Sequence, residues 1–352
     1  MAAVPGLSPL TRSSTARIGI VMMSALGDAV HVLPVVTALK RHAPGIRIAW
    51  ILQPGPASLV GGHPDVDEIV VFDKARGRHA YGDVRRRLAG RLDLALGLQV
   101  YFKAGVLTKL LDAPVKLGFD RARARDLNWL ATTHRIAPHP PQHVQDQYFE
   151  FLDALGVAPE PVRWNLGPWP HERDAQRAFL APLQAAGRPL VTLVIGASHP
   201  EKEWLPERWA GLADALADRC TVVLAGGRSA RERATEQAIM ARARHRPAST
   251  LGCGLRDLVG LLDASALVVS LDTGPLHMAV ALDRPVIGLM GYNNPKRVGP
   301  YRKFHDLLVD AYGEPGDDYP ISMAHRAGRM ARIGVDDVLA KVERWREAYG
   351  GA

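Results

Sequence analysis

The feature that most constrains this fold is a series of short apolar runs of strand length, each followed by a segment with helical spacing. The runs cover residues 16–24, 46–52, 68–72, 92–98, 190–195, 220–224, 266–271 and 285–290. Continuous apolar runs of this length are typical of parallel strands that are buried on both faces of a sheet. Their alternation with helical segments predicts a doubly wound α/β fold.

The strand–helix pattern stops once and starts again, which predicts two domains. At roughly 150 residues per domain, a chain of 352 residues accommodates two. Between them lies a proline-rich stretch with neither helical nor strand spacing, as expected of a domain boundary. The predicted organisation is a flexible tail (1–15), an N-terminal α/β domain (16–156), a linker (157–172), a C-terminal α/β domain (173–330) and a terminal segment (331–352) with an amphipathic helix.

Composition excludes several other classes of protein. Hydrophobic residues make up 47% of the chain and charged residues 23%, which excludes disorder, and glycine and proline follow no period. The two cysteines, Cys220 and Cys253, lie in apolar or glycine-rich surroundings, which predicts buried, reduced thiols. Because no signal peptide or membrane-spanning run is recognisable, we expect a cytoplasmic protein.

The positive charge of the chain is concentrated in one segment. Residues 74–135 carry fourteen Lys/Arg and five Asp/Glu, whereas the rest carries thirty and thirty-one. Such a field favours an anionic partner: nucleic acid, an anionic membrane surface, or a phosphorylated or carboxylated substrate. The alternative is a solvated charge run. Nucleic acid is the least favoured partner, because the segment lacks a binding motif and interleaved aromatic residues.

Asp28 is the candidate catalytic residue. It follows the strand run of residues 16–24, and ligands of open α/β sheets bind beyond the carboxyl ends of the strands. A carboxylate at that place is suited to act as a general base. The alternative is an ordinary helix N-cap, because Asp accepts hydrogen bonds from the free N–H groups of a first turn.

A second candidate site follows the strand run of residues 266–271. Residues 272–275 (DTGP) end this strand, and Pro275 is favoured in the first turn of a following helix. Gly274 leaves room for a ligand at the backbone, and the free N–H groups of a helix N-terminus suit phosphate. His277 lies within the first turn. A capped helix with a buried histidine is the alternative.

Two further groups of polar residues follow strand runs. Lys202, which comes shortly after Ser198, is a candidate counter-ion for phosphate, with a solvated lysine as the alternative. Guanidinium groups match the oxygens of phosphate and carboxylate, so alternate arginines in a loop predict an anion site. The basic residues are Lys103, Arg121, Arg123 and Arg125, and the neutral Gln99 precedes Lys103 directly after a strand run.

Motifs for metal, nicotinamide or nucleophilic chemistry are absent. The sequence contains no H-E-x-x-H, G-x-S-x-G, G-x-x-x-x-G-K-[ST] or G-x-G-x-x-G pattern. A D-x-D pattern at residues 65–67 precedes a strand run instead of following one. We therefore expect an activity that needs neither a metal ion nor another cofactor.

Together these motifs resemble glycosyltransferase family 9, the heptosyltransferases that build the inner core of bacterial lipopolysaccharide. The resemblance covers the chain from about residue 16 to the final helix, with five motifs in the family's order. The most specific are SALGDAVHVLPVVTALKRHAPG (24–45) and LDTGPLHMAVALDRPVIGLMG (271–291). Supporting motifs are DLALGLQVYFKAGVLTKLL (93–111), GFDRARARD (118–126) and GASHPEKEWLPERW (196–209).

The resemblance implies a GT-B fold: two Rossmann-like domains with a cleft between them and a C-terminal helix that crosses back towards the first. It implies inverting, metal-independent transfer of a heptose from a nucleotide-diphosphate sugar, ADP-heptose, to an anionic lipopolysaccharide core or lipid A acceptor. The enzyme would work at the inner face of the inner membrane. A nucleotide-sugar epimerase, or a transferase of another sugar on the same fold, is the alternative.

The resemblance also implies roles for individual residues. Asp28 matches the family's catalytic base, and Lys202 matches a basic residue that neutralises the departing diphosphate. The implied donor-binding residues are Ser198, Lys202, Asp272, Thr273, Gly274 and His277. The implied acceptor-binding residues are Gln99, Lys103, Arg121, Arg123 and Arg125.

One segment departs from the family pattern. After the second strand of the donor domain many members carry a Trp-Gly pair and a glutamate that contacts the nucleoside. Here residues 225–229 read AGGRS, with no carboxylate before Glu232. Arg228 is the expected substitute, as a contact to phosphate or base.

Overall fold

The computed structural model describes residue 4 and residues 6–350. Residues 1–3 and 5 of the predicted tail, and residues 351–352 of the predicted terminal segment, lie outside the described residues. The remainder of the tail contacts the protein at Leu10, whose N–H donates to the carbonyl of Leu155 and whose carbonyl lies 3.0 Å from Nε2 of His42.

The chain folds as two compact units. The first contains the chain up to Pro140 together with Val144–Asn165, and the second contains Pro141–His143 and the chain from Leu166 onward. The chain therefore passes from the first unit to the second within the proline-rich stretch, between Asn165 and Leu166.

The first unit is built on a six-stranded parallel sheet. Its strands are β1 (Arg17–Val21), β2 (Arg47–Leu52), β3 (Glu68–Val71), β4 (Leu94–Gly97), β5 (Val115–Gly118) and β6 (His134–Arg135). Its helices are α1 (Leu26–His42), α2 (Pro54–Val60), α3 (His79–Arg87), α4 (Phe102–Leu110) and α5 (Val144–Ala154).

The second unit repeats this design. Its strands are β7 (Leu190–Val194), β8 (Thr221–Ala225), β9 (Ala248–Ser249), β10 (Leu267–Leu271), β11 (Val286–Met290) and β12 (Val309–Asp310). Its helices are α6 (Arg173–Gln184), α7 (Pro206–Leu216), α8 (Ala230–Arg242), α9 (Leu255–Ala264), α10 (Gly274–Ala281), α11 (Pro295–Val298) and α12 (Val335–Tyr349).

Both sheets have the same strand order. The first runs β3-β2-β1-β4-β5-β6 and the second β9-β8-β7-β10-β11-β12, which is the doubly wound order in each case. The connections reverse direction between β1 and β4 in one sheet and between β7 and β10 in the other. Loops diverge at such a switch point, which opens a crevice beyond the carboxyl ends of the two strands.

The predicted α/β architecture is confirmed, and all eight apolar runs form strands. The central strands are mainly apolar because helices cover both faces: every residue of β7 and β10 is buried, including one small hydroxyl residue in each, Thr192 and Ser270. The sequence analysis missed β5, β6, β9 and β12, which are two to four residues long. Strands this short leave no periodic signal; β6, β9 and β12 lie at sheet edges, and β5 contains Lys116.

Helix α1 begins soon after β1 ends. It starts at Leu26, with Ala25 as its N-cap. Asp28 therefore lies inside the first turn, as its third residue. This position decides what the carboxylate contacts.

The proline-rich stretch is held against the first unit by one side chain. The guanidinium group of Arg41 on α1 donates to four consecutive carbonyls, those of Ala158, Pro159, Glu160 and Pro161, at 2.9–3.1 Å. Further along, the carbonyl of Trp164 lies 2.9 Å from Nε2 of the buried His63. Backbone without secondary structure is thus satisfied by side chains.

The predicted C-terminal helix is present as α12. It packs on α7, and its buried face consists of Val338, Val342 and Trp345, as the spacing predicted. Within the part of the chain that is described, no helix has both the length and the apolar character needed to cross a bilayer.

Candidate functional site

Asp28 lies beyond the carboxyl end of β1, at the switch point of the first sheet. Its Oδ2 accepts a hydrogen bond of 3.0 Å from the N–H of Ala25, the N-cap of α1. The side chain is half-buried. A carboxylate has two oxygens with about four acceptor sites, so this bond to the first turn leaves capacity for a ligand. Capping and catalysis are therefore compatible at this residue.

A helix that the sequence analysis missed orients Asp28. The hydroxyl of Tyr148 on α5 donates a hydrogen bond of 3.1 Å to Oδ1 of Asp28. Helix α5 is bound to α1 by buried polar contacts: Nδ1 of His31 lies 3.0 Å from Oε1 of Gln145, and Nε2 of Gln145 donates to the carbonyl of His31 at 2.7 Å. Both oxygens of Asp28 are thus positioned by packed elements.

Gln99 lies at the same switch point, just after β4. Its Oε1 accepts a hydrogen bond of 2.9 Å from the N–H of Met23, and its Nε2 donates to the carbonyl of Ser24. These bonds tie the loop after β4 to the loop that leads into α1. The structure places Gln99 beside the backbone that presents Asp28, where it supports the loop.

The basic residues of the first unit separate into two groups. Lys103, Arg121 and Arg125 are exposed, and Arg121 stacks over the ring of Trp129 at 4.5 Å. Arg123 differs: it is half-buried and bound to the carboxylates of Asp120 and Glu150, the latter at 2.7 Å through two nitrogens.

Arg123 is held in this position by charge. Burial lowers the pKa of its guanidinium group, but the hydrogen bonds to Glu150 and Asp120 outweigh burial and raise the pKa above its usual value. The side chain therefore stays charged and occupied by protein carboxylates. It links the loop after β5 to α5, the helix that carries Tyr148.

The turn between β10 and α10 lies at the switch point of the second sheet. Thr273 is the N-cap of α10 and Gly274 its first residue, so the free N–H groups of the helix begin here. The hydroxyl of Thr273 donates to the carbonyl of Leu271 at 3.3 Å. The predicted helix start is confirmed.

Lys202 and Asp272 form an ion pair at this turn. Nζ of Lys202 lies 2.8 Å from Oδ2 of Asp272 and also donates to the carbonyl of Asp272 at 3.2 Å. Asn293 donates a second hydrogen bond to Oδ2. Asp272 is 7% exposed, and a carboxylate repels phosphate. Its contacts therefore fit a residue that positions Lys202 beside the helix N-terminus.

His277 lies in the first turn of α10 and is buried. Burial lowers the pKa of its imidazole to about 4; Asp272 opposes this shift, and His143 and Lys202 add to it. The ring is therefore neutral near pH 7. It therefore supplies no positive charge to this turn.

Ser198 is exposed in the loop after β7, which leads into the short turn that carries Lys202. Both residues therefore follow the strand that neighbours β10 at the switch point. The loop after β7 and the turn after β10 meet through the contacts of Lys202 with Asp272.

Glu232 supplies a carboxylate to the neighbouring loop after β8. It accepts hydrogen bonds from the N–H groups of Gly227 (2.6 Å) and Ser229 (3.1 Å) and from the Ser229 hydroxyl. Burial raises the pKa of this carboxyl, but the hydrogen bonds outweigh it and lower the pKa. A Cβ on Gly196 would lie 2.0 Å from Oε1 of Glu232, so a side chain there would displace this carboxylate.

Sequence reasoning did not identify Tyr148, Asn293 or Glu232 as site residues. A signal existed for Glu232, because Ser229 and Glu232 form the S-x-x-E pattern of a capping box. Tyr148 and Asn293 carry no local motif, and only the packing of distant segments brings them to Asp28 and Asp272.

The prediction that both cysteines are buried holds for Cys220, whereas Cys253 is half-buried. Neither forms a disulfide, and burial raises the pKa of Cys253 to about 11. Among the residues that the structure describes, no group of three or more His, Cys, Asp and Glu side chains is arranged to hold a metal ion.

The chain is similar in sequence to a known protein family. Residues 82–314 match the sequence profile of the family described as glycosyltransferase family 9 (heptosyltransferase). The chain is 27% identical to the lipopolysaccharide core heptosyltransferase OpsX of Haemophilus influenzae over 348 residues. The aligned region covers 96% of this chain and 99% of that protein.

Solved structures share the fold. A glycosyl transferase family 9 structure from Veillonella parvula superposes with a TM-score of 0.79 at 22% identity, over 94% of this chain and 97% of that one. The structure of E. coli heptosyltransferase WaaC with ADP superposes with a TM-score of 0.73 at 24% identity, over 94% and 99%. The expected GT-B fold is confirmed.

Proposed function

We propose, because this chain belongs to glycosyltransferase family 9, the heptosyltransferases, that it transfers a heptose from ADP-heptose to a hydroxyl group of a lipopolysaccharide inner-core acceptor. The transfer inverts the anomeric centre and needs no metal ion. The enzyme works in the cytoplasm, at the inner face of the inner membrane. The observation that carries the proposal is the β10–α10 turn, where Lys202 lies beside a helix N-terminus.

The donor nucleotide is proposed from two observations. The E. coli relative with the same fold was solved with ADP, and the named relative in H. influenzae is a lipopolysaccharide core heptosyltransferase. In this chain the turn at Thr273 and Gly274 offers backbone N–H groups and the positive end of a helix dipole, which suit a diphosphate. Ser198 and neutral His277 are the proposed hydrogen-bonding groups of the same site.

Asp28 is the proposed general base. Its carboxylate takes the proton from the acceptor hydroxyl, whose oxygen forms the new bond to the anomeric carbon as the bond from that carbon to the diphosphate oxygen breaks. The hydrogen bonds from Ala25 and Tyr148 fix the carboxylate in one orientation, so it needs little reorganisation in the transition state. One direct displacement of this kind inverts the anomeric configuration.

Lys202 and the N-terminus of α10 are proposed to stabilise the charge that develops on the leaving ADP. A cation and preorganised N–H donors act on a developing oxyanion as a metal ion would. Asp272 holds the ammonium group of Lys202 at 2.8 Å and is thus a positioning residue. This arrangement supports metal-independent transfer.

The exposed cations of the first unit are the proposed acceptor contacts. Lys103, Arg121 and Arg125 present positive charge to solvent. An anionic acceptor that carries carboxylate and phosphate groups matches this positive charge. Arg123 instead stabilises the loop after β5 through its ion pairs with Asp120 and Glu150.

Reconstituted transfer tests the proposal. The purified chain is incubated with ADP-heptose and a core acceptor, and ADP release is followed together with the anomeric configuration of the product by NMR. We expect inversion and unchanged rates in EDTA. Retention, or loss of activity that added Mg²⁺ restores, would contradict the mechanism. Conversion of the donor without acceptor would instead support the epimerase alternative.

A further inference from the structure

An exposed apolar patch lies next to the basic loop of the first unit. It consists of Phe102, Leu110, Leu127 and Leu130, whose exposed fractions are 61%, 38%, 64% and 56%. Together they line an open groove of about 380 Å³ between α4 and the turn at Asn128–Ala131. Single exposed apolar residues are common, but four that share one groove mark an interaction surface.

The patch is built on a fixed framework. The buried Asn128 donates through Nδ2 to the carbonyl of Tyr101 at 2.8 Å, and the N–H of Arg125 donates to the carbonyl of Val100 at 2.9 Å. A Cβ on Gly105 would lie 3.1 Å from Asn128, so α4 and the turn are in close contact. The exposed side chains are therefore held in place by buried polar bonds.

Leu127, one of the four patch residues, has a backbone conformation that is unusual for leucine. Its backbone has φ of +58°, a left-handed conformation that costs a bulky side chain free energy and is usually occupied by glycine or asparagine. Its side chain gains little from packing, because it is 64% exposed. A leucine that is both strained and exposed indicates that its side chain has a partner outside this unit.

Cations lie close to the apolar side chains in the sequence. Lys103 follows Phe102, and Lys109 lines the groove, as does the acidic Asp126; both lysines are exposed. Arg121 and Arg135 lie over the ring of the half-buried Trp129, the residue before Leu130, at 4.5 and 5.9 Å. These four cations are called the cationic rim. Exposed apolar side chains beside a tryptophan and several cations form the composition that binds an anionic bilayer surface.

We propose that this patch inserts into the headgroup region of an anionic lipid bilayer, with Phe102, Leu127 and Leu130 entering the apolar boundary and with Lys109 and Arg135 contacting lipid phosphates. The proposal rests on the proposed function, because a lipid-linked acceptor lies in a membrane. A second copy of this chain fits less well: a symmetric contact would set one cationic rim against another.

Vesicle binding of the full chain, without donor or acceptor, tests the proposal. The variant Phe102→Gln/Leu127→Asn/Leu130→Gln, called the patch variant, replaces three of the four apolar residues of the patch. Asparagine tolerates the left-handed backbone at position 127. The matched control is Val71→Thr/Met323→Gln, which changes two exposed apolar residues, each 49% exposed, outside the patch. Sedimentation is measured with phosphatidylglycerol-containing and with neutral vesicles.

We expect the wild type and the control to bind anionic vesicles, and the patch variant to bind about tenfold or more weakly, because apolar burial is lost. Binding should decrease with salt, since the rim acts electrostatically. Leu127→Asn alone, which should keep or raise the melting temperature, should give an intermediate loss. A polarity-sensitive dye attached to the cysteine of the Leu127→Cys variant should report a less polar environment when vesicles are added.

Three results would overturn the proposal. The first is a wild-type protein that does not bind vesicles at low salt, and the second is equal vesicle binding by the patch variant and the control. The third is a concentration-dependent dimer of the wild type that only the patch variant abolishes. Transfer to a water-soluble acceptor without acyl chains separates this proposal from the proposed function. The rate of this transfer should be the same in the patch variant as in the wild type. If the wild type does not transfer heptose to the soluble acceptor, the proposed function is refuted, and vesicle binding remains an independent result.

Discussion

The hydroxyl of Tyr148 donates a hydrogen bond of 3.1 Å to Oδ1 of Asp28, a residue 120 positions earlier in the chain. The other oxygen of the same carboxylate accepts from the N–H of Ala25. One helix therefore carries the proposed base and another helix orients it. The role of Asp28 and the role of Tyr148 are separable by experiment.

Asp28→Asn should lower kcat by roughly 10²–10⁴-fold, the range expected for loss of a general base. Asparagine keeps one acceptor oxygen for the N–H of Ala25, and its NH2 group can donate to the hydroxyl oxygen of Tyr148, so the fold and the affinity for ADP should be nearly unchanged. Steady-state kinetics and calorimetry with ADP measure these quantities.

The chain offers a matched control for this substitution. Asp337 occupies the same third position of α12 and accepts from the N–H of the N-cap Gly334 at 2.7 Å. Asp337→Asn should leave kcat unchanged. If Asp28→Asn retains near wild-type turnover, Asp28 only caps its helix.

Tyr148→Phe should lower kcat by several-fold to about tenfold, because the carboxylate of Asp28 loses a hydrogen bond that orients it. KM for the donor should not change, since Tyr148 lies in the first unit. Unaltered kcat in Tyr148→Phe would show that the hydrogen bond has no part in turnover.

Lys202→Gln should weaken binding of ADP by about tenfold to a hundredfold, the size of a lost charge-assisted hydrogen bond. Because this variant leaves the buried Asp272 carboxylate without its cation, the double variant Lys202→Gln/Asp272→Asn is measured beside it. Both should bind ADP weakly in calorimetry, while the double variant recovers thermal stability.

Lys303→Ala is the control for the Lys202 variants, because Lys303 forms an exposed pair with Asp283, 2.6 Å apart, in the same unit. It should bind ADP normally. Gly274→Val probes the backbone of the turn and should also weaken ADP binding. Unchanged ADP affinity in both the Lys202 and Gly274 variants would move the donor site elsewhere.

Arg121→Gln/Arg125→Gln should raise KM for the acceptor by about tenfold, because each partly desolvated charged contact contributes on the order of 1 kcal/mol or more. KM for the donor should change little. The effect should shrink at high salt, where screening weakens the wild-type contacts.

Two comparisons show whether this effect is local. Arg85→Gln/Arg91→Gln removes two exposed charges from the same basic segment and should have little effect. Arg123→Gln should act on stability instead, by about 3 kcal/mol, because it leaves Asp120 and Glu150 without their shared cation. Equal acceptor KM in wild type and Arg121→Gln/Arg125→Gln would identify these arginines as solvated charges.

His277 predicts a pH dependence of stability. Its pKa is about 4 in the folded protein and near 6.5 when unfolded, so the unfolded chain binds the additional proton between these values. The free energy of unfolding should therefore fall as the pH decreases from 6.5 to 4, by on the order of 3 kcal/mol from this group.

Denaturant unfolding of His277→Gln at pH 7 and pH 4.5 measures this contribution. The variant should lose less stability on acidification than the wild type, whereas substitution of the exposed His245 should make no difference. Identical acid sensitivity of wild type and His277→Gln would show that burial of the imidazole is not what destabilises the protein in acid.

Local sequence determined the architecture and half of each candidate site. The apolar runs predicted β1 to β4 and the central strands of the second sheet, because strands buried on both faces consist mainly of apolar residues. Motifs that follow strand ends predicted Asp28, Lys202 and the turn at Thr273, since parallel strands carry ligands beyond their carboxyl ends. A single turn encodes such features, so a short stretch of sequence reveals them.

Tertiary structure alone decided which partners these residues have. Tyr148 reaches Asp28, Asn293 reaches Asp272, and Arg123 binds Glu150 only because the two sheets bring distant segments together. An arginine in an acidic environment and an arginine in water look the same in sequence, as Arg123 and Arg121 demonstrate. Burial, pairing and orientation depend on residues far apart in the chain, and for that reason they become visible only in the folded protein.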